Sequence, residues 1–192
     1  MQLENGAWRA ARFAKHLPDR LLHSWRRHRA MRQLARARGL RRVLFVCHGN
    51  ICRSPYAAAS FLRRLPPVFR ANVQASSAGF IGPGRPSPGE ALAVSRRRGI
   101  DLSAHMSQLI DARAVRDYDL VVVMDSRQAQ DLKTTYPDIG GVIVLGDLDP
   151  QPITRRAIVD PFGRSEQVFD ESYARIDRCL DTLIGAAYSF GK

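Results

Sequence analysis

A chain of 192 residues, 45% of them hydrophobic, is sized for one α/β domain and a modest extension. No apolar run reaches the roughly 18 residues of a membrane-spanning helix, and three cysteines cannot staple a disulfide scaffold, so collagen-like, disulfide-rich and integral membrane classes are excluded. The net charge of +12 is concentrated: residues 1–42 hold 12 of the 30 basic residues and two of the 18 acidic ones, Glu4 and Asp19, which leaves residues 43–192 close to neutral. A basic arm, residues 1–41, therefore precedes a domain, residues 42–192. The charge describes the arm and is not the signature of a nucleic-acid-binding domain.

The arm carries both tryptophans, Trp8 and Trp25. Leu17, Leu21, Leu22 and Trp25 suit one helix face, which Pro18 interrupts, and Asp19 is placed to cap a helix running toward Arg38, with Gly39 ending it. The apolar run Val43–Val46 reads as a buried strand, and a loop follows over Cys47–Arg53. Ser54 then reads as an N-cap and Pro55 as the first helical residue, with Pro66-Pro67 stopping the helix. Val73–Ser77 is a second strand, Ile81–Gly89 a Gly- and Pro-rich loop, and Glu90–Arg98 a helix ended by Gly99. Leu120–Met124 is the clearest buried strand and leads into a helix from Ser126 to about Thr134. Val142–Leu145 is the fourth strand, and Ser165 to about Ala187 has apolar residues at helical spacing. Alternating strands and helices of this kind predict a three-layer α/β sandwich around a parallel sheet of about four strands.

The segment Cys47-His48-Gly49-Asn50-Ile51-Cys52-Arg53-Ser54 joins a strand end to a helix start, the place where open α/β sheets bind ligands. Unpaired N–H groups and the helix dipole attract an anion there. A thiol in such a position ionises more readily, because its thiolate is an anion of this sort. A guanidinium such as that of Arg53 matches phosphate oxygens in pairs, and Gly49 and Asn50 tolerate the positive φ of a loop whose N–H groups point inward. The layout is an anion cradle with a nucleophile at its base. No His, Asp and Glu cluster at metal spacing, so neither a metal nor another cofactor is expected.

The run Val46-Cys47-His48-Gly49-Asn50-Ile51-Cys52-Arg53-Ser54-Pro55 resembles the signature loop of the low-molecular-weight protein tyrosine phosphatases. Ser77-Ala78-Gly79, Asp101 with His105, Met124-Asp125 and Asp160-Pro161-Phe162 match that family's further landmarks in order, over about residues 42–187. The resemblance implies that Cys47 attacks phosphorus to give a phosphocysteine, that Arg53 and the 48–54 loop hold the phosphoryl oxygens, and that Asp160 protonates the leaving phenolate. It implies hydrogen-bond support from Asn50, Ser54 and His105, a reversible disulfide between Cys52 and Cys47, and a pocket wall drawn from Phe80 or Ile81 and from Phe162. Arg85 is expected to meet an acidic substrate, and Met106-Ser107-Gln108 replaces basic residues common after the family's histidine. Cys179 reads as a buried small hydrophobe.

The expected substrate is a phosphotyrosine protein, with a bacterial tyrosine kinase of polysaccharide export as the leading candidate. Arsenate reductase on the same scaffold is an alternative, but its thioredoxin-coupled form needs two further cysteines and residues 53–178 hold none. A protein-arginine phosphatase is another, and it would call for Thr where Ile51 stands. A catalytically dead binding module would have lost Cys47, Arg53 or Asp160. The expected location is cytoplasmic. Peripheral contact with an anionic membrane through residues 1–41 is set against a solvated tail or a cleaved targeting segment, and nucleic acid is a minor reading.

Overall fold

The two uninterrupted apolar runs become the two central strands of one sheet, because only a strand covered on both faces can be apolar at every position. In a computed structural model, which describes residues 16–37 and 39–188, these are β1 (Arg42–Cys47) and β3 (Leu120–Val123). They are flanked by β2 (Gln74–Gly79) and β4 (Gly141–Val144) in the order β2-β1-β3-β4, all parallel. The edge strands are less buried and start one residue away from the expected positions. Along β1, Val43, Phe45 and Cys47 enter the core on one face of the sheet, while Leu44 and Val46 enter the core on the other. Trp8 and the rest of residues 1–15, Arg38, and residues 189–192 lie outside the described residues.

Helices α1 (Leu17–Leu21) and α2 (His23–Arg36) come from the arm and precede β1. After β1 come α3 (Arg53–Arg64), α4 (Pro67–Arg70), α5 (Gly89–Arg97), α6 (Ser126–Thr135) and α7 (Glu166–Ala187). Short 3-10 turns cover Ala114–Asp117 and Leu145–Leu148. Pro67 does not simply stop α3. It opens α4, since a proline at the first helical position forfeits no hydrogen bond. In the layer of α3, α5 and α7, the Tyr56 and Tyr173 rings stack at 3.8 Å. Asp177 accepts hydrogen bonds there from Tyr56, Ser60 and Arg98.

The arm differs from expectation. Asp19 lies within α1 and not at a cap, with Pro18 in the helix's first turn, and α2 ends at Arg36 before Gly39 turns at φ +71°. Ala30 and Leu34 are buried in the same core as β1 and α7. The inner face of α2 is thus part of the domain's packing. Leu17, Leu21, Leu22 and Trp25 stay exposed. Among the described residues, no helix is long and apolar enough to cross a membrane.

Candidate active site

In the order β2-β1-β3-β4 the chain reverses direction across the sheet between β1 and β3, and a crevice opens at the carboxyl ends of these strands. Cys47 closes β1 at that edge, 2% exposed. The chain then turns through 48–52 into α3. The helix starts at Arg53, one residue earlier than expected, so Ser54 is not its cap but lies in the first turn. That position brings Ser54 Oγ to 3.1 Å from Cys47 Sγ. Asn50 Nδ2 donates to the same hydroxyl at 2.9 Å, which leaves the hydroxyl proton for the sulfur or for the Ala78 carbonyl at 3.4 Å.

Asn50 takes φ +52°, the left-handed region, and is the one non-glycine among the described residues to do so. Its neighbours hold it there. Its Oδ1 accepts from the Gln108 N–H at 2.8 Å, and its carbonyl accepts from His105 Nε2 at 2.7 Å. A carbonyl can only accept, so His105 carries a proton on Nε2. Gly49 does not need positive φ. Its requirement is space, because a Cβ would sit 3.1 Å from the Arg85 guanidinium. Gly79, paired with Cys47 across the strands, is needed more strictly: a Cβ there would come within 2.9 Å of the backbone at His48 and Asn50.

Arg85 is not free for an acidic substrate. Its guanidinium donates to the carbonyls of Gly82, Gly49 and Ile81 at 2.8, 2.9 and 3.0 Å. Ser107, in the segment that replaces the family's basic residues, donates to Gly82 at 2.6 Å and accepts from the Arg85 N–H. These residues brace the loop from outside.

Arg53 is 4% exposed. It donates to the Ile158 carbonyl at 3.3 Å and to Asp160 Oδ2, while its Nε is buried without a partner. Asp160 is half exposed, and its second oxygen accepts from the Phe162 N–H at 3.2 Å. Beside this pair lies an open cleft of about 460 Å3, lined by His48, Arg53, Phe80 and Asp160 together with Asp125, Arg127 and Arg155. Phe80 is thus the wall residue the cleft contains; Ile81 and Phe162, 43% and 60% exposed, do not line it. Arg127 and Arg155 had no signal in the sequence, since only the fold brings the start of α6 to the segment before Asp160. Ile51 is buried and apolar. Cys52 is also buried, and its thiol is pushed well above its ordinary value by burial first and by the neighbouring Cys47 second. Tyr173 donates to the Cys52 carbonyl at 3.2 Å and pins the end of the loop to α7. Burial pushes Cys179 up to about 12.

The family model described as low molecular weight phosphotyrosine protein phosphatase matches residues 42–188. "Probable low molecular weight protein-tyrosine-phosphatase EpsP" of Ralstonia nicotianae is 32% identical over 153 residues, covering 79% of this chain and 99% of that protein. The crystal structure of the tyrosine phosphatase amsI of Erwinia amylovora matches with TM-score 0.68 at 25% identity, over 78% of this chain and 95% of its own. The YwlE arginine phosphatase of Geobacillus stearothermophilus matches with TM-score 0.64 at 28% identity, over 75% and 90%.

Proposed function

The chain belongs to the low molecular weight phosphotyrosine protein phosphatase family and is a protein-tyrosine phosphatase, and from that premise we propose how its residues divide the work. Cys47 sulfur attacks phosphorus and the tyrosine oxygen leaves, taking a proton from Asp160. A phosphocysteine remains. Water then attacks it, Asp160 takes back a proton, and phosphate departs with the Cys47 sulfur restored. Ser54 steadies that sulfur, and the 48–54 loop with Arg53 holds the oxygens over which charge spreads.

The observation that carries this reading is the meeting of Arg53 with Asp160, residues 107 apart in sequence, beside the loop that begins at Cys47. A phosphate dianion offers the buried Arg53 Nε an acceptor and competes with Asp160 for the guanidinium fork. That exchange frees the carboxyl group beside the leaving oxygen. Ile51 supplies no hydroxyl for a phosphoarginine substrate, so the aryl ester is the favoured substrate. The phosphoprotein we place first is a tyrosine kinase of polysaccharide export. Peroxide would oxidise Cys47 to a sulfenic acid, and the Cys52 thiol would condense with it to a disulfide and water. Burial keeps that thiol protonated, which slows the step.

Asp160→Asn tests the assignment. Its kcat/KM should fall by about a hundredfold on tyrosine phosphate and much less on p-nitrophenyl phosphate, whose leaving group needs little protonation. Equal losses on the two substrates would remove Asp160 from the role of acid.

A second contact rests on the arm's outer face, where exposed Leu21, Leu22 and Trp25 lie beside exposed Arg29, Arg32 and Arg36. Apolar and basic side chains in that mixture suit an anionic lipid surface.

A further inference from the structure

Asp160 sits in a segment, 149–165, with neither helix nor strand. Stretches of that length need external anchors to present a side chain reproducibly. Most anchors come from the phosphatase domain. Arg175 on α7 donates to the Asp149 carboxylate and to the carbonyls of Ala157 and Arg155, at 2.8, 2.8 and 2.9 Å. Ser172 donates to the Val159 carbonyl at 3.0 Å, and the Ile158 N–H donates to Met124 at 2.9 Å. Arg156 grips Asp147 with a two-pronged contact at 2.7 and 2.6 Å.

Two further anchors come from outside the family's matched residues. Asp19 in α1 accepts from the Arg156 backbone N–H at 3.1 Å. His23, at the start of α2 and buried, donates from Nε2 to the Asp149 carbonyl at 3.0 Å. Both contacts fall on the stretch that leads into Asp160. Asp19 is itself held in place by Arg26 and His16, each at 3.3 Å. Around these bonds, residues 150–153 face α1 and α2 across a hollow of about 740 Å3. Without Asp19, the Arg156 N–H loses its acceptor four residues before the acid. Without His23, the buried Asp149 carbonyl loses its donor.

We infer that Asp19 and His23 are positioning residues for the proton donor: the N-terminal extension holds the 149–157 backbone and so places Asp160 over the phosphate cradle. The inference rests on the role given above to Asp160. It assigns the extension a part in catalysis, beyond the packing that Ala30 and Leu34 provide.

The test is the ratio of kcat/KM on phenyl phosphate to kcat/KM on p-nitrophenyl phosphate, measured with the full chain. Both substrates meet the same preparation, so loss of folded protein cancels from the ratio. Asp19→Ala and His23→Ala should each lower it by about tenfold, the scale of a small misplacement of a catalytic group. Asp19→Asn keeps an oxygen that can accept from Arg156 and should restore most of the ratio. Should His23→Ala not fold, the partly exposed Asp19 decides the matter. An unchanged ratio in Asp19→Ala, with a lowered ratio in Asp160→Asn, overturns the inference while the acid stands. An unchanged ratio in Asp160→Asn overturns the acid and the inference together.

Discussion

Cys47 and Arg53 share one loop but are asked for different things. In the proposed mechanism the Cys47 sulfur is the nucleophile, and the loop's other thiol, Cys52, is kept protonated by burial. Cys47→Ser should therefore cost at least about a thousandfold in kcat, while leaving inorganic phosphate able to bind, because the cradle of Gly49, Asn50 and Arg53 remains. More than about a tenth of the original activity would end the covalent route. Arg53 donates to Ile158 and Asp160 here, and in the proposed mechanism it passes from Asp160 to the phosphoryl oxygens while keeping Ile158, which takes a planar fork of donors. Arg53→Lys should thus be severely impaired in turnover and weakened in phosphate binding, a combination that titration with inorganic phosphate would show. At this scale residue types and spacing made an anion cradle with Cys47 and Arg53 legible, and the family resemblance pointed to Asp160, which the fold brings to Arg53. Ser54 reads in sequence as a helix cap, although the family resemblance also sets it in the hydrogen-bond support it provides here, and Arg85 reads as free for a substrate. A serine before a proline is as good a cap as it is a hydrogen-bond partner to sulfur, and an arginine in a Gly-rich loop looks free until the carbonyls that surround it are seen.

Among the elements, β1 and β3 were legible because burial on both faces leaves no polar position to confuse the pattern. Helix α2 was read as an arm because its inward face has few apolar anchors, Ala30 and Leu34, in a run of arginines. Those anchors carry weight. Leu34 is fully buried, so Leu34→Ala should destabilise the domain by about 2–5 kcal/mol, read from denaturant unfolding. A loss under about 1 kcal/mol would mean that α2 docks only loosely. Helix α1 adds a pH-dependent share through Asp19. Burial pushes the Asp19 carboxyl up, but hydrogen bonds from the Arg156 backbone, His16 and Arg26 outweigh it and hold the group below its ordinary 3.8. A depressed carboxyl stabilises the folded state fully above its unfolded value, and that share is lost as pH falls through the lower folded one. Asp19's share of the clamp is therefore complete at neutral pH and is lost only in acid, below the group's ordinary value.

Taken whole, the molecule puts the two sides of α2 to unlike uses: the inner side enters the core, and the outer side carries Trp25 and a row of arginines. Removing residues 1–41 would strip out part of the core, so a truncation cannot ask what the outer side does. Substitution there can. Trp25→Ala combined with Arg29→Ser and Arg32→Ser should reduce cosedimentation with phosphatidylglycerol vesicles while turnover of p-nitrophenyl phosphate stays unchanged. Basic residues near such a surface contribute about 1 kcal/mol each, and added salt should weaken the intact protein's binding likewise. Equal sedimentation of the two proteins would dismiss the lipid contact. The arm's two contacts also obey a reciprocity. If a ligand of the outer side changes the affinity for phosphate by some factor, phosphate in the cradle changes the affinity for that ligand by the same factor. Asp19 and His23, which reach the segment before Asp160, are the contacts through which such an effect would pass.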